Sequence, residues 1–116
     1  TDDEFKTLEQ SLGMATDQLN LWGTRGTDQG TKLKNQTGWD EGGNGTNSSG
    51  FSALPGGYRF GGTGEFFLLT TITYFWTSTE HDADRGWYRR LDSSSPAVYR
   101  ASTSKKGGKY IRCLKN

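Results

Sequence analysis

YFWTSTEHDADRGWYRRL, residues 74–91, is the stretch from which the fold of this chain is read. It gathers Trp76, Trp87, three further aromatics and the only histidine, His81, around a run of mixed charges. Residues 74–79 are aromatic and threonine-rich, a composition that fits a pleated, half-buried surface. Residues 87–91 alternate Trp87, Arg89 and Leu91 on one face with Tyr88 and Arg90 on the other, the period of a strand. Between them residues 80–86, EHDADRG, are too polar to bury. The stretch therefore reads as a hairpin with a rigid aromatic base and a polar loop, the anatomy of a binding surface more than of a catalytic pocket.

The rest of the chain bounds this reading. Its 116 residues make one domain, 1–116, of common size. Only 30% of the residues are hydrophobic and mean hydropathy is -0.83, so the aromatics must carry much of the core. Seventeen glycines against two prolines imply many tight turns and no rigid linker. No apolar run approaches the ~20 residues that span a bilayer, so membrane insertion by this domain is not expected. Nor is a nucleic-acid partner, because the pI of about 7.8 lacks a basic footprint.

Charge is unevenly spread. Residues 1–84 hold five basic and twelve acidic side chains, and residues 85–116 hold nine basic and one acidic. The two halves either neutralise each other within one fold, or form a basic face for an acidic glycan, or associate head to tail between copies.

Along the chain, Thr1–Asp2–Asp3–Glu4 is a capping box, with acidic residues suited to the helix dipole. Phe5, Leu8 and Leu12 give one apolar stripe, and Gly13 ends the helix. Thr16 caps a second, shorter helix through about Trp22, of weak periodicity. Residues 23–50 are loop-dominated, with 32–34 a short helical turn or strand. The oxygen-rich loop 40–47, DEGGNGTN, has the ligand chemistry of calcium but not the EF-hand spacing, so no cofactor is assigned to it. Residues 51–59 read as an apolar strand ending in a turn, 97–100 as a strand, and 109–114 as the last strand. Helices followed by antiparallel strands make an α+β domain with two N-terminal helices, small antiparallel sheets and long Gly-rich loops. Phe5, Leu8, Leu54, Phe75, Trp76, Trp87, Leu91, Val98 and Ile111 form the expected core.

Cys113 is the one cysteine. Alone it makes neither an internal disulfide nor a structural zinc site. Three readings stand: a buried small hydrophobe, a thiol whose partner lies in an upstream segment, or a reactive thiol. No acid–base pair, metal set or nucleophile with a partner is in view, and an enzyme is not expected.

In order, the motifs GTDQGTKLK, GFSALPGGYR, YFWTSTE, GWYRRL and YIRCLK resemble those of the Fibrobacter succinogenes major paralogous domain, over nearly the whole chain. The resemblance implies a C-type-lectin-like fold, related to the branch of the formylglycine-generating enzyme. It implies a bacterial protein that is extracellular or at the cell surface, secreted or lipid-anchored, in a family without an assigned activity. Members usually carry a Cys–Pro–x–Gly–Trp–His–Val–Pro segment just before the first helix. The resemblance thus implies a domain excised from a longer secreted protein, lacking an upstream strand with which Cys113 would pair. The sugar-binding triplets of calcium-dependent lectins are missing: neither Pro55 nor Pro96 stands in one, and Trp76 is followed by Thr77–Ser78. The paired cysteines of the formylglycine-generating enzyme are missing too.

The candidate ligand-binding residues are Glu80, His81, Asp82, Asp84 and Arg85 in the loop, Tyr88 and Arg90 on the face opposite Trp87, and Tyr99 and Arg100 from the neighbouring strand. Tyrosine stacks on a sugar or peptide, and arginine and aspartate fix polar groups by charge-assisted bonds. The leading expectation is an extracellular, non-catalytic binding or adhesion module for a glycan or protein ligand. The alternatives are a structural surface domain that acts in self-association or domain packing, and a retroelement-diversified binding protein.

Overall fold

Thr1 opens the first helix as its sequence predicts. In the computed structural model, which describes residues 1–113, helix α1 spans Asp2–Ser11. The Thr1 hydroxyl accepts a hydrogen bond from the Glu4 amide at 3.1 Å, and the Glu4 side chain reaches back to Thr1. Gly13, at φ +103°, turns the chain away. Phe5, Leu8 and Leu12 pack against the core.

The second expected helix does not form over residues 16–22. A single 3₁₀ turn, Thr16–Gln18, stands there without a side-chain cap, and the chain passes into strand β1, Gly23–Arg25. Of its apolar residues only Leu19 is buried, while Leu21 and Trp22 are exposed. A short helix without one packed face has little to sustain it. Helix α2 lies later, at Gln29–Leu33, in the loop-dominated region, where it takes in part of the short helical turn or strand read at 32–34. Gly30 lets it approach the main chain closely: a Cβ there would lie 2.2 Å from the Ala97 carbonyl oxygen. Beside it the Thr31 amide donates to Pro96 O at 3.1 Å.

Two short strands, β2 (Tyr58–Arg59) and β3 (Phe66–Phe67), pair as a small antiparallel ladder. The main sheet adds β4 (Ile72–Glu80), β5 (Arg85–Asp92), β6 (Val98–Ser104) and β7 (Tyr110–Ile111), in the order β1-β6-β5-β4-β7. The central hairpin is thus β4–β5, and its strands run further than the residues that announce them. Two corrections follow. The apolar strand expected over 51–59 is reduced to β2 and three isolated bridges, Ala53 to Lys34, Gly57 to Thr73 and Arg59 to Gly108. The last strand runs parallel to β4, so the sheet is mixed; of its expected span, Leu114 lies outside the described residues. The α+β class itself is what the structure has.

Register assigns the faces. Phe75, Arg89 and Arg100 are cross-strand partners, as are Tyr74, Arg90 and Tyr99. Alternation therefore puts Phe75, Trp87, Arg89, Leu91, Val98 and Arg100 on the face that α1 covers, and Tyr74, Trp76, Tyr88, Arg90 and Tyr99 on the back. The core on the helix side holds Met14, Leu19, Leu33, Trp39, Ala53, Phe75, Leu91 and Val98. Two residues expected in it are at the surface: Leu54 is 58% and Ile111 73% exposed. Ile111 sits on a two-residue edge strand that nothing covers. Trp76 and Trp87 are half-buried.

Beneath α1 lies a buried ionic network. Asp2 pairs with Arg89 at 2.6 Å and Arg100 at 2.7 Å, and Glu9 pairs with Arg25 and Arg89, each at 2.6 Å. Arg100 also donates to Asn20 O at 3.0 Å. Three guanidinium groups and two carboxylates are thereby removed from water together. The acidic first helix and the basic later strands neutralise each other inside the fold, the first of the three readings of the charge asymmetry.

Candidate functional site

The tip of the β4–β5 hairpin is held by its own polar residues. His81 and Asp82 amides both donate to Arg85 O, at 2.9 and 3.3 Å. The Asp82 carboxylate accepts from the Asp84 and Arg85 amides at 3.0 and 2.9 Å and from Arg85 Nε at 2.8 Å. Arg85, followed by those amides, holds the Asp82 carboxyl below its ordinary range. Lys105 ties the tip to the segment after β6: its Nζ pairs with Glu80 at 2.6 Å and donates to Ala83 O at 2.9 Å, and its amide donates to Asp84 O at 3.0 Å. The register shift between Trp76 and Glu80 marks a bulge in β4, which re-aims the tip.

Beside this loop, on the helix-side face, three rings meet. Trp22 lies 4.6 Å from Trp87 and 5.3 Å from His81, both edge-on, and His81 lies 5.0 Å from Trp87. His81 Nδ1 is 2.8 Å from Ser102 Oγ. The Arg100 guanidinium sits 3.8 Å over the Trp87 ring and is anchored from beneath by Asp2. Trp22, the outermost ring, is 54% exposed. An exposed ring fixed edge-on against two others, beside a polar loop, is chemically suited to stack on a flat apolar surface while the loop's polar groups set orientation.

The nine candidate residues are therefore divided. Glu80, His81, Asp82, Asp84 and Arg85 gather at the hairpin tip. Tyr88, Arg90 and Tyr99 lie together on the back of the sheet, where Arg90 pairs with Asp92 at 3.0 Å and caps the Tyr99 ring at 4.1 Å. Two of the nine are not surface residues. Tyr88 is 8% exposed, and burial pushes its phenol up to about 12. Arg100 is buried against Asp2. Alternation correctly sets Tyr88 opposite Trp87, but both faces of this sheet are covered. Arg100 is the partner of Arg89, not of Arg90, so it points under the helix. The residue that sequence reasoning missed is Trp22. Its signal was the weak periodicity of residues 16–22: a tryptophan that fits no apolar stripe.

The oxygen-rich loop uses its side chains to tie itself to neighbouring segments. Asp40 accepts from the Thr70 hydroxyl, Asn44 from the Trp39 amide at 2.9 Å, and Asn47 from the Ser52 amide at 2.7 Å. No group of three His, Cys, Asp or Glu side chains is placed to hold a metal ion among the described residues. A separate apolar groove of about 770 Å³ runs between α1 and the β7 edge, lined by Phe5, Leu8, Phe51, Ile111 and Cys113 among others. Cys113 is free and exposed there, which corrects the reading of it as a buried hydrophobe.

Residues 1–115 match the Fibrobacter succinogenes major domain family, and the chain belongs to it. No curated protein and no solved structure matches the chain.

Proposed function

We propose that this domain is an extracellular, non-catalytic binding module that recognises a glycan or protein ligand at the tip of the β4–β5 hairpin, on a C-type-lectin-like frame. The observation that carries the reading is the exposed Trp22 ring braced by Trp87 and His81 beside the tied loop of residues 80–85. Such a surface is preorganised, so a ligand that stacks on Trp22 orders few side chains. A broad panel of glycans and surface proteins, screened with and without EDTA, tests it. Saturable binding that Trp22→Ala abolishes supports the module. Binding that survives Trp22→Ala refutes this site.

A second reading has its own observation. Phe60, Phe66, Phe67, Leu68 and Leu69 are all exposed around β2–β3, a patch that favours a structural domain acting in self-assembly. Because the charge asymmetry is spent within the fold, the patch and not charge would drive association. Sedimentation across a wide concentration range separates the two: a monomer throughout excludes self-assembly.

A further inference from the structure

Strand β3 is the outer member of its ladder. β2 is tied inward to the main sheet and its margin by the bridges from Gly57 to Thr73 and from Arg59 to Gly108, while β3 pairs with β2 alone. Glu65 O accepts from the Phe60 amide at 2.8 Å, so the alternation of an antiparallel pair turns the Phe67 backbone toward β2 and the Phe66 amide and carbonyl away from it. Phe66 is also 69% exposed. β3 therefore offers a bare backbone donor and acceptor beside an apolar side chain, the template on which a further strand adds.

This edge is held out by its own anchoring. Leu68 and Thr70 stand at φ +57° and +69°, in the left-handed region that residues with side chains seldom occupy. Such conformations persist only where neighbours fix them. Here the Thr70 amide donates to Pro55 O at 2.9 Å, the Asp40 amide donates to Thr70 O at 3.0 Å, and the Thr70 hydroxyl donates to the Asp40 carboxylate. Leu68 and Leu69 thereby continue the exposed apolar row that Phe66 begins.

The two ends of the row carry opposite charge. At the turn after β2, a Cβ on Gly61 would lie 2.8 Å from Lys106 Cβ, so Lys106 flanks that turn. Lys105 is paired with Glu80, whereas Lys106 has no carboxylate partner among the described residues. At the far end stands Asp40, bound to Thr70, with Glu41 next to it in the chain. Neither acid pairs with a cation among the described residues. Between the two ends the ladder holds one charge of each sign, Arg59 opposite Phe66 and Glu65 just before β3.

We infer that β3 is the seam of a two-fold dimer, in which the β3 strands of two copies of this domain pair antiparallel with Phe66 against Phe66. The inference rests on the second reading above, that the exposed patch drives self-assembly, and gives it a partner surface and a register. A two-fold seam must be self-complementary. Pairing Phe66 with itself exchanges two backbone hydrogen bonds and joins the ladders into one sheet, β2-β3-β3-β2. In that register Gly62 faces Thr70 of the second copy, which brings Lys106 beside Asp40 of the second copy on both sides of the axis. The apolar row supplies the attraction and the charges set the register. An anionic lipid surface fits the patch less well, because Asp40 and Glu41 at its rim would face the headgroups.

Sedimentation equilibrium of the whole chain at low salt tests the seam. Lys106→Glu turns both charge contacts from attraction to repulsion and is expected to weaken the dimer at least about tenfold. Asp40→Asn still accepts from the Thr70 hydroxyl, and added to Lys106→Glu it is expected to recover most of that loss. In a Cys113→Ser background, Phe66→Cys should give a disulfide-linked dimer on mild oxidation, since the Cα atoms of a hydrogen-bonded pair stand about 5.5 Å apart. Thr63→Cys, which faces Leu69 of the second copy, should not. A dimer that Asp40→Asn fails to rescue, or that cross-links through Thr63→Cys and not through Phe66→Cys, overturns this seam and leaves the self-assembly reading standing. A wild type that is monomeric at every concentration overturns both, and flotation of that monomer with phosphatidylglycerol vesicles would assign the patch to a membrane.

Discussion

Glu9 shows how far a single residue can be from its sequence-level reading. On the first helix it is one acid among several, yet it is fully buried between Arg25 and Arg89. Removing one partner of a buried pair strands the other charge. Glu9→Gln is therefore expected to cost roughly 3–5 kcal/mol, read as a lower urea midpoint. An unchanged midpoint would mean that water reaches those guanidinium groups. Asp2 belongs to the same network. Despite the opposing effect of burial, its bonds and charge contacts with Arg100 and Arg89 hold its carboxyl well below the ordinary 3.8. Its stabilising contribution is thus complete above pH 3.8 and lost as pH falls below it. An acid titration of wild type against Asp2→Asn checks this: the variant lacks that part of the acid-induced loss.

At the scale of elements, the β4–β5 hairpin presents its tip and Trp22, the residue just before β1, completes the surface. Trp22→Ala removes a half-exposed ring, so its stability cost is expected to stay within about 1–2 kcal/mol while binding is lost. Tyr88→Ala would empty a buried site and cost about 3–5 kcal/mol, so loss of binding in that variant would report unfolding. The hairpin was legible because alternation of Trp87, Arg89 and Leu91 and the polar run 80–86 are local signals. So was α1, from its capping box and its stripe. The partners of Arg89 and Arg100 were not legible, because the carboxylates that bury them stand more than 75 residues away. Neither was the parallel β7: its two residues carry no sign of which strand they join. Trp22 was visible only as a misfit, since nothing in residues 16–22 says that the chain leaves the 3₁₀ turn for the sheet edge.

For the whole molecule, the two faces of the sheet predict a stability profile in alkali. Between pH 8 and 10.5 the unfolded chain binds more protons than the folded one, because Lys109 is lowered to about 8 by burial and Lys34 is lowered in the same sense. Stability therefore rises with pH through that window. From pH 10 upward the phenols oppose it: burial raises Tyr74 and Tyr88, so the unfolded chain releases protons first. The urea midpoint is expected to pass through a maximum near pH 10, and Lys109→Met to flatten the rise toward it. A steady fall from pH 7 would contradict the burial that lowers the Lys109 amine. The charge division of the sequence is likewise resolved at this scale, by pairs such as Asp2 with Arg100 and Glu80 with Lys105 that close the fold on itself.

The four tryptophans provide the most direct test of the binding site, since each indole N–H reports a different place. Trp22 and Trp87 stand at the hairpin tip, Trp39 donates to Ala53 O in the core, and Trp76 donates to Gly107 O on the back of the sheet. Their resonances should be followed by NMR during titration with a ligand from the panel. The account predicts that Trp22 and Trp87 shift and saturate together while Trp39 and Trp76 stay still. Movement of Trp76 with a silent Trp22 would place binding on the opposite face and contradict it.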